Sequence, residues 1–260
     1  MTFSKFSLTL LALAAVTSLT ACGGGGGDSS NANPAPNGTQ ATAEGVYTGT
    51  LTGADASSFA MVVLEDGTYW TIAGNVGSDG YEPTSLIQGK GTSNAGKFNS
   101  SNGHLYAPEL AGVGTLNATY STSAISGSAN ANGTSIGFSG ERVTAAAFDY
   151  DKPASLSSVT GNWTIRTALN DIVPISIEGN GHFTGASIDG CTMSGTVTPR
   201  ASGKNVFDMT LTFGPAPCAL ANVTGSGIAT TLPYGSGQSL LVIAGVDSSL
   251  SGGMVAAGVR

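Results

Sequence analysis

The chain has 260 residues, of which only 10% are charged, 40% are hydrophobic and 39 are glycines. A disordered chain is normally more charged and less apolar, so this composition excludes general disorder and indicates a folded core. The formal net charge is −7, and the sequence has no basic patch that would suit nucleic acid. The acidic residues are concentrated before residue 155. We interpret them as a solvated acidic surface, with a site for a basic partner as the alternative.

Residues 1–21 have the three parts of a secretory signal peptide. Lys5 supplies the positive charge, residues 6–16 are almost wholly apolar, and the small residues Thr20 and Ala21 precede the expected cleavage site. The apolar run is too short to span a bilayer, which needs about 20 residues. The segment is therefore predicted to direct export and to be removed.

The end of this segment, Leu19-Thr20-Ala21-Cys22, resembles the lipobox of bacterial lipoproteins. The resemblance implies that Cys22 is acylated and becomes the first residue of the mature protein, which its acyl chains then anchor to a membrane. Gly23 stands where inner-membrane retention commonly uses Asp, so the resemblance also implies delivery to the outer membrane. The face on which the protein lies, periplasmic or cell-surface, is left open. The alternative is an ordinary signal peptide with a chance cysteine.

Residues 22–44 are predicted to form a flexible tether, because Gly23–Gly27 directly follow Cys22 and the residues after them are mostly small or polar. A poly-Gly stretch after a lipidated cysteine resembles the tethered surface lipoproteins with small β-barrel domains, such as transferrin-binding protein B and factor H-binding protein. The tether would give the folded part reach above the membrane.

Short alternating runs rich in Gly, Thr, Ser and Val follow the tether and predict an all-β structure. About eight strands in each half predict two tandem, small antiparallel meander β-barrel domains, residues 45–144 and 159–260, joined by a connection at 145–158. A pair of sandwiches is the first alternative. A transmembrane barrel is disfavoured because the strands lack a sustained apolar band and aromatic girdles. The predicted strands are 45–52, 59–64, 69–72, 85–91, 96–100, 112–120, 124–129, 134–142, 161–165, 192–198, 206–213, 222–232, 239–246 and 253–259, with a further hairpin at 175–185.

The two halves share an opening pattern of glycine, any residue, an aromatic residue and threonine. It occurs as Gly45-Val-Tyr47-Thr and again as Gly161-Asn-Trp163-Thr, and each is followed by a tight hairpin, at Asp66-Gly67 and at 179–181. The order is the same in both halves, which indicates two related domains. Four aromatic residues of these openings and hairpins are predicted to fill the barrel cores, with a ligand cup as the alternative: Tyr47, Trp70, Trp163 and Phe183.

Cys191 and Cys218 are the two cysteines that follow Cys22. In an exported domain two cysteines usually pair, so we predict a Cys191–Cys218 disulfide. A metal site on this pair is not predicted, because no neighbouring cysteine or histidine completes a set of ligands.

The search for catalytic groups finds only weak patterns. His104 and His182 each follow Asn-Gly and are interpreted as residues at strand starts after a turn, not as metal ligands. The carboxylate pair Glu65 and Asp66 flanks a hairpin turn, and Asp149 and Asp151 lie in the connection, where a calcium site is the alternative. Gly235-Ser236-Gly237 is predicted to be a loop between strands and not a nucleophile elbow. We predict no catalytic residue, cofactor or metal site.

The sequence thus predicts a non-enzymatic, lipid-anchored outer-membrane protein that acts as a binding or adhesion module for a protein or a small molecule. A structural envelope lipoprotein without a specific soluble ligand and, less favoured, a hydrolase with a dispersed site are the alternatives. A deep apolar pocket would indicate a ligand cup, whereas an exposed apolar patch would indicate protein binding.

Overall fold

The computed structural model describes residues 42–78, 80–108 and 110–260. The signal peptide, the lipobox with Cys22 and most of the tether lie outside these residues and stay predictions. None of the helical structure in the described part is long and apolar enough to span a membrane.

The first barrel closes through eight antiparallel strands in the order β1-β2-β3-β4-β6-β7-β8-β9, with β9 paired to β1 and β4 paired to β6. A short ninth strand, β5, pairs with β6. The strands are β1 Gly45–Thr52, β2 Ser58–Val63, β3 Thr68–Gly77, β4 Gly80–Lys90, β5 Thr92–Asn94, β6 Lys97–Ala107, β7 Leu110–Tyr120, β8 Ala124–Ala131 and β9 Thr134–Arg142.

The second barrel is a closed meander in which each strand pairs with the next and β17 pairs with β10. Its strands are β10 Gly161–Thr167, β11 Ile172–Ile177, β12 His182–Ala186, β13 Thr192–Pro199, β14 Phe207–Phe213, β15 Thr224–Tyr234, β16 Gln238–Asp247 and β17 Gly253–Val259. A single 3₁₀ turn at Leu156–Ser158 precedes it. The predicted all-β fold of two small antiparallel barrels is confirmed.

The largest error in the predicted strands lies around Asn102-Gly103, which was expected to form a turn. Instead β6 runs through these residues with a bulge between Ser100 and Gly103. The Asn102 side chain accepts hydrogen bonds from the Lys90 amide at 3.0 Å and the Ser100 hydroxyl at 3.0 Å, which fixes it within the sheet. His104 therefore lies inside a strand, while His182 begins β12 as predicted.

Inward-facing side chains fill both barrels, as expected for barrels of eight strands. Tyr47 lies in the core of the first barrel, and Trp163 and Phe183 lie in the core of the second. Trp70 is also buried, but it points out of the first barrel and packs between the two barrels. The prediction that these aromatic residues belong to the core is confirmed, although Trp70 belongs to a different core from the one expected.

A shared apolar core joins the outer face of the first barrel to the outer face of the second. Val62 and Ile72 contribute from the first barrel, and Val242, Ala244 and Val255 contribute from the second. In β2 and β16 nearly every residue is buried, because one face points into its own barrel and the other into the shared core. The two barrels accordingly belong to one compact unit.

The connection at 145–158 packs against both barrels through Tyr150. The Tyr150 hydroxyl donates to the Val63 carbonyl at 3.1 Å, and the ring lies 5.2 Å from the Lys204 ammonium and 5.7 Å from the Arg142 guanidinium. Lys204 also pairs with Asp151 at 2.8 Å, and this hydrogen bond raises the pKa of Lys204. The connection therefore fastens the barrels together.

The predicted internal similarity has a structural counterpart at the opening of each barrel. The Tyr47 hydroxyl donates to the Ala43 carbonyl at 3.0 Å, and the Trp163 indole N–H donates to the Val159 carbonyl at 2.7 Å. In both cases the acceptor lies four residues earlier. The same hydrogen bond thus closes the same end of each barrel.

An arginine at the end of the last strand completes each of these closures. Arg142 donates to the Glu44 carbonyl at 2.8 Å, and Arg260 donates to the Thr160 carbonyl at 2.7 Å. Gly45 and Gly161 have φ values of +146° and +116°, which L side chains rarely adopt, and a Cβ at either position would also lie 2.9 Å from the corresponding guanidinium nitrogen. Both positions therefore favour glycine. The pattern Gly-x-Arg at 140–142 and 258–260 is a second shared motif that the sequence analysis missed.

Candidate ligand-binding cleft

The candidate site is a cleft of about 490 Å³ between one end of the second barrel and the first barrel. Turns of the second barrel at 167–171, 187–191, 217–220 and 251–254 surround it, and the first barrel covers it with Leu86 and the β6–β7 hairpin. The volume lies within the range typical of small-molecule sites, about 300–1,000 Å³.

The floor of the cleft consists of inward-facing side chains at the end of the second barrel. Val173 and Met193 belong to the barrel core, and Phe213 and Met254 pack against that core. Along each strand, every second side chain points into the barrel and is apolar. This pattern continues to the end of the barrel that faces the cleft, so the floor is apolar. The two methionines add unbranched side chains that adapt to the shape of a ligand.

Tyr106 of β6 forms the roof. Its hydroxyl donates to the Leu250 carbonyl at 3.0 Å, and its ring lies so close to Gly253 that a Cβ there would be 2.4 Å from the ring. Burial, together with the nearby Asp247 carboxylate, raises the pKa of Tyr106, so the phenol stays protonated and remains a donor. Tyr106 thus links the first barrel to the turn between β16 and β17.

The predicted disulfide is confirmed and lies at the edge of the cleft. Cys191 and Cys218 are bonded, and Cys191 lines the cleft. The bond ties the turn between β12 and β13 to the long loop between β14 and β15, and it adjoins Pro217, which follows a cis peptide bond. The disulfide therefore holds two parts of the rim at a fixed separation.

Large apolar side chains are exposed in the turns that surround the cleft. Leu169, which lines the cleft, lies in the turn between β10 and β11, Ile172 begins β11, and Leu250 lies in the turn between β16 and β17. Ile188, in the turn between β12 and β13, is 95% exposed, and Leu110 of the β6–β7 hairpin is also exposed. Single exposed apolar residues are common, but a concentration of them marks a contact surface. Apolar residues at turn positions were the sequence signal that could have indicated this site.

The charged side chains that line the described part of the cleft are both acidic. The Asp171 carboxylate lies 3.5 Å from the Thr167 hydroxyl, and Asp189 is exposed in the turn after Ile188. Asp247 lies just behind Ser251 and Gly252, whose amides donate to its carboxylate at 3.0 and 3.1 Å. The hydrogen bond from the Ser251 hydroxyl is the main cause that lowers the pKa of Asp247.

Two other concavities are weaker candidates. A depression of about 790 Å³ covers the outer face of β10–β12, but it is open and its floor includes outward polar residues such as Thr164 and Ser176. A groove of about 380 Å³ runs between the barrels beside Trp70 and Arg200. Arg200 is already paired there with Glu65 and Asp208. The cleft at the end of the second barrel combines enclosure with an apolar floor, which neither of these does.

The carboxylate pairs singled out in the sequence serve structural contacts. Glu65 pairs with Arg200 across the two barrels at 3.0 Å, and Asp66 accepts a hydrogen bond from the Thr68 amide in the hairpin turn. In the connection, Asp149 pairs with Lys152 and Asp151 pairs with Lys204.

The histidines and the serine loop likewise do not form a site. No group of three potential metal ligands occurs among the described residues. His104 lies in the first barrel, stacked on Tyr106, and His182 lies in the second. Gly235-Ser236-Gly237 is the turn between β15 and β16, as expected.

Comparison with protein-family models found no match, and comparison with curated proteins also found none.

Proposed function

We propose that this protein is a lipid-anchored binding module of the outer membrane that takes a mainly apolar small molecule into the cleft of its second barrel. The observation that carries the proposal is the apolar floor of the cleft, together with the exposed leucine and isoleucine side chains of the turns around it, of which Leu169 lines the cleft. A surface of this kind is costly to leave in water, and a ligand that covers it would recover the hydrophobic free energy.

Enclosure favours a small molecule over a flat protein partner. The cleft has walls from both barrels, with Tyr106 on one side and Met193 and Met254 on the other. Small-molecule sites are concave and largely apolar, with a few polar groups, and the cleft has this character. Adhesion to a protein through the same rim is the alternative outcome.

The place where the chain enters the first barrel suits a tethered binding module. β1 begins at Gly45, at the end of the barrel opposite the β6–β7 hairpin that covers the cleft. A tether over residues 22–44, if extended, reaches about 3.3 Å per residue. The chain therefore enters the first barrel at the end that lies away from the cleft.

Binding is tested with a neutral apolar probe, N-phenyl-1-naphthylamine, whose fluorescence rises in an apolar environment. The exported chain carries Cys22→Ser, which removes the predicted acylation site. It can then be purified without detergent, which would compete with the probe for the cleft. Ala219 is exposed and lines the cleft, so Ala219→Trp should fill part of it and weaken binding about 10-fold or more.

The matched control is Ala146→Trp, which makes the same change at an exposed turn of the connection. It should leave the affinity within about twofold, since it touches no residue of the cleft. Absence of saturable binding, or equal effects of the two tryptophans, would overturn the proposed site.

Location is tested by treating intact cells with protease, with Cys22→Ala as the unanchored control. An outer-membrane anchor requires the wild-type protein to fractionate with that membrane and the Cys22→Ala protein to be released. Cleavage in intact cells would place the protein on the cell surface, and protection would place it on the periplasmic face. Release of the wild-type chain as a soluble protein would contradict the lipid anchor.

A further inference from the structure

We propose that the cleft selects amphiphilic cations, which are molecules with an apolar body and a positively charged amine or ammonium group. The inference rests on the proposed function, because it concerns the ligand class of the same cleft. The acidic groups that line the cleft support it, since they form no ion pair with another described residue.

The charged groups at the cleft have a single sign. Asp171 and Asp189 line it, and no lysine, arginine or histidine does so among the described residues. Arg166, in the adjacent strand, is instead hydrogen-bonded to Asn170 in the next turn. A positively charged ligand group therefore meets carboxylates at this mouth with no competing cation in the lining.

These carboxylates differ from those at the junction of the barrels. There, Lys204 pairs with Glu44 and Asp151, and Arg200 pairs with Glu65. At the cleft, neither Asp171 nor Asp189 forms an ion pair with another described residue. The fold thus neutralises its interfacial acids and leaves the acids of the cleft available to a ligand.

Asp247 adds a third negative charge behind the lining. Hydrogen bonds from Ser249, Ser251 and Gly252 hold its carboxylate beside the turn that contributes Ser251 and Gly252 to the cleft. Its lowered pKa, which is due first to the Ser251 hydroxyl, keeps it ionised at neutral pH. Because Tyr106 is neutral, the roof does not offset this charge.

An apolar floor and acidic rim are complementary to the two parts of an amphiphilic cation. The hydrocarbon part would cover Met193, Phe213 and Met254, and the cationic part would remain at the partly hydrated mouth near Asp171 and Asp189. Exposed ion pairs contribute modestly, so two carboxylates should give a preference of about 10-fold over a neutral head group. The preference should shrink as salt is added.

The test is displacement of N-phenyl-1-naphthylamine from the Cys22→Ser chain by three amphiphiles that share one alkyl chain. They are dodecyltrimethylammonium, dodecyldimethylamine oxide and dodecyl sulfate, each used below its micelle concentration at pH 7. The ammonium should bind about 10-fold more tightly than the nearly isosteric amine oxide, whose N⁺–O⁻ group has no net charge at pH 7, and the sulfate should bind most weakly.

The variant Asp171→Asn/Asp189→Asn should abolish this preference, which is measured within the variant as the ratio of its affinities for the ammonium and the amine oxide. The control, Glu141→Gln/Glu178→Gln, removes the same charge from two exposed acids that do not line the cleft, and it should keep the preference. Loss of preference in the control as well would assign it to the net charge of the protein and overturn the inference.

The outcomes separate this inference from the proposed function. If the neutral probe binds but ammonium and amine oxide compete equally, the ligand class is wrong and the binding site stands. If the neutral probe does not bind the wild-type protein at all, the proposed function itself fails.

Discussion

At the scale of single residues, an arginine at the end of the last strand helps to close each barrel. Arg142 and Arg260 each donate to a backbone carbonyl that precedes the first strand of the same barrel. Arg260 lies 4.1 Å from the centroid of the Trp163 ring and donates to the carbonyls of Thr160 and Ser158. These contacts combine a cation–π interaction with hydrogen bonds from a charged donor. They join the end of β17 to β10 and to the residues just before it. The closure of the barrel therefore depends on a side chain at its edge as well as on its apolar interior.

We predict that Arg260→Met lowers the free energy of unfolding by about 1–2 kcal/mol, because it removes the charge and the donors and keeps much of the aliphatic stem. Denaturant unfolding followed by circular dichroism measures the change. Arg166→Met is the matched control, since among the described residues the Arg166 side chain is hydrogen-bonded to the neighbouring Asn170 alone, and it should cost less than about 0.5 kcal/mol. Equal costs for both variants would contradict a closing role for Arg260.

At the scale of elements, the contact between the β6–β7 hairpin and the start of β17 determines the roof of the cleft. The Tyr106 ring lies directly on the backbone at Gly253, and its hydroxyl bonds the turn before β17. The roof thus depends on a position without a side chain. Its neighbour, Gly252, has more room, since a Cβ there would lie 3.3 Å from the nearest carboxylate oxygen of Asp247.

We predict that Gly253→Ala displaces the Tyr106 ring and costs about 1–3 kcal/mol of stability. It should also weaken binding of the neutral probe, since the roof moves with the ring. Gly252→Ala should have a much smaller effect on both. The comparison uses denaturant unfolding and the probe titration on each variant, and a Gly252→Ala effect as large as that of Gly253→Ala would refute the assigned contact.

The alternating strands and the Gly-containing turns were sufficient to predict two barrels, because period-two burial is a local property of the chain. The bulge at Asn102-Gly103 was not predictable in this way, since it depends on the hydrogen bond that the Lys90 amide of a neighbouring strand donates to Asn102. The cleft was missed for a similar reason. Tyr106, Met193 and Met254 come from distant parts of the chain and meet only when the barrels pack together.

At the scale of the whole molecule, the shared core determines whether two barrels behave as one folded unit. This core is buried only when both barrels are folded. It includes Val62 and Ile72 of the first barrel and Val242 of the second. Unfolding either barrel would expose this core on the other. The connection at Tyr150 adds hydrogen-bonded and charged contacts to the same junction. The free energies of unfolding of the two barrels should therefore be strongly coupled.

The two tryptophans provide a direct test of this coupling, because Trp70 lies in the shared core and Trp163 lies inside the second barrel. We predict that the chains Trp70→Phe and Trp163→Phe each show fluorescence and circular-dichroism transitions at one denaturant concentration, as two-state unfolding requires. Trp70→Phe should be the milder change, since the Trp70 N–H has no hydrogen-bond partner among the described residues and the Trp163 N–H has one.

Val242→Asp should then uncouple the barrels, since it places an unpaired carboxylate in the shared core, where burial costs several kcal/mol. In a chain that carries both Trp70→Phe and Val242→Asp, the transition followed by Trp163 fluorescence should occur at a different denaturant concentration from the loss of β structure followed by circular dichroism. Thr164→Asp adds the same group to the exposed outer face of β10 and should leave a single transition. Separate transitions in the chain with Trp70→Phe alone would mean that the barrels fold independently. In that case a cleft built from both barrels would lose its roof when the first barrel alone unfolds.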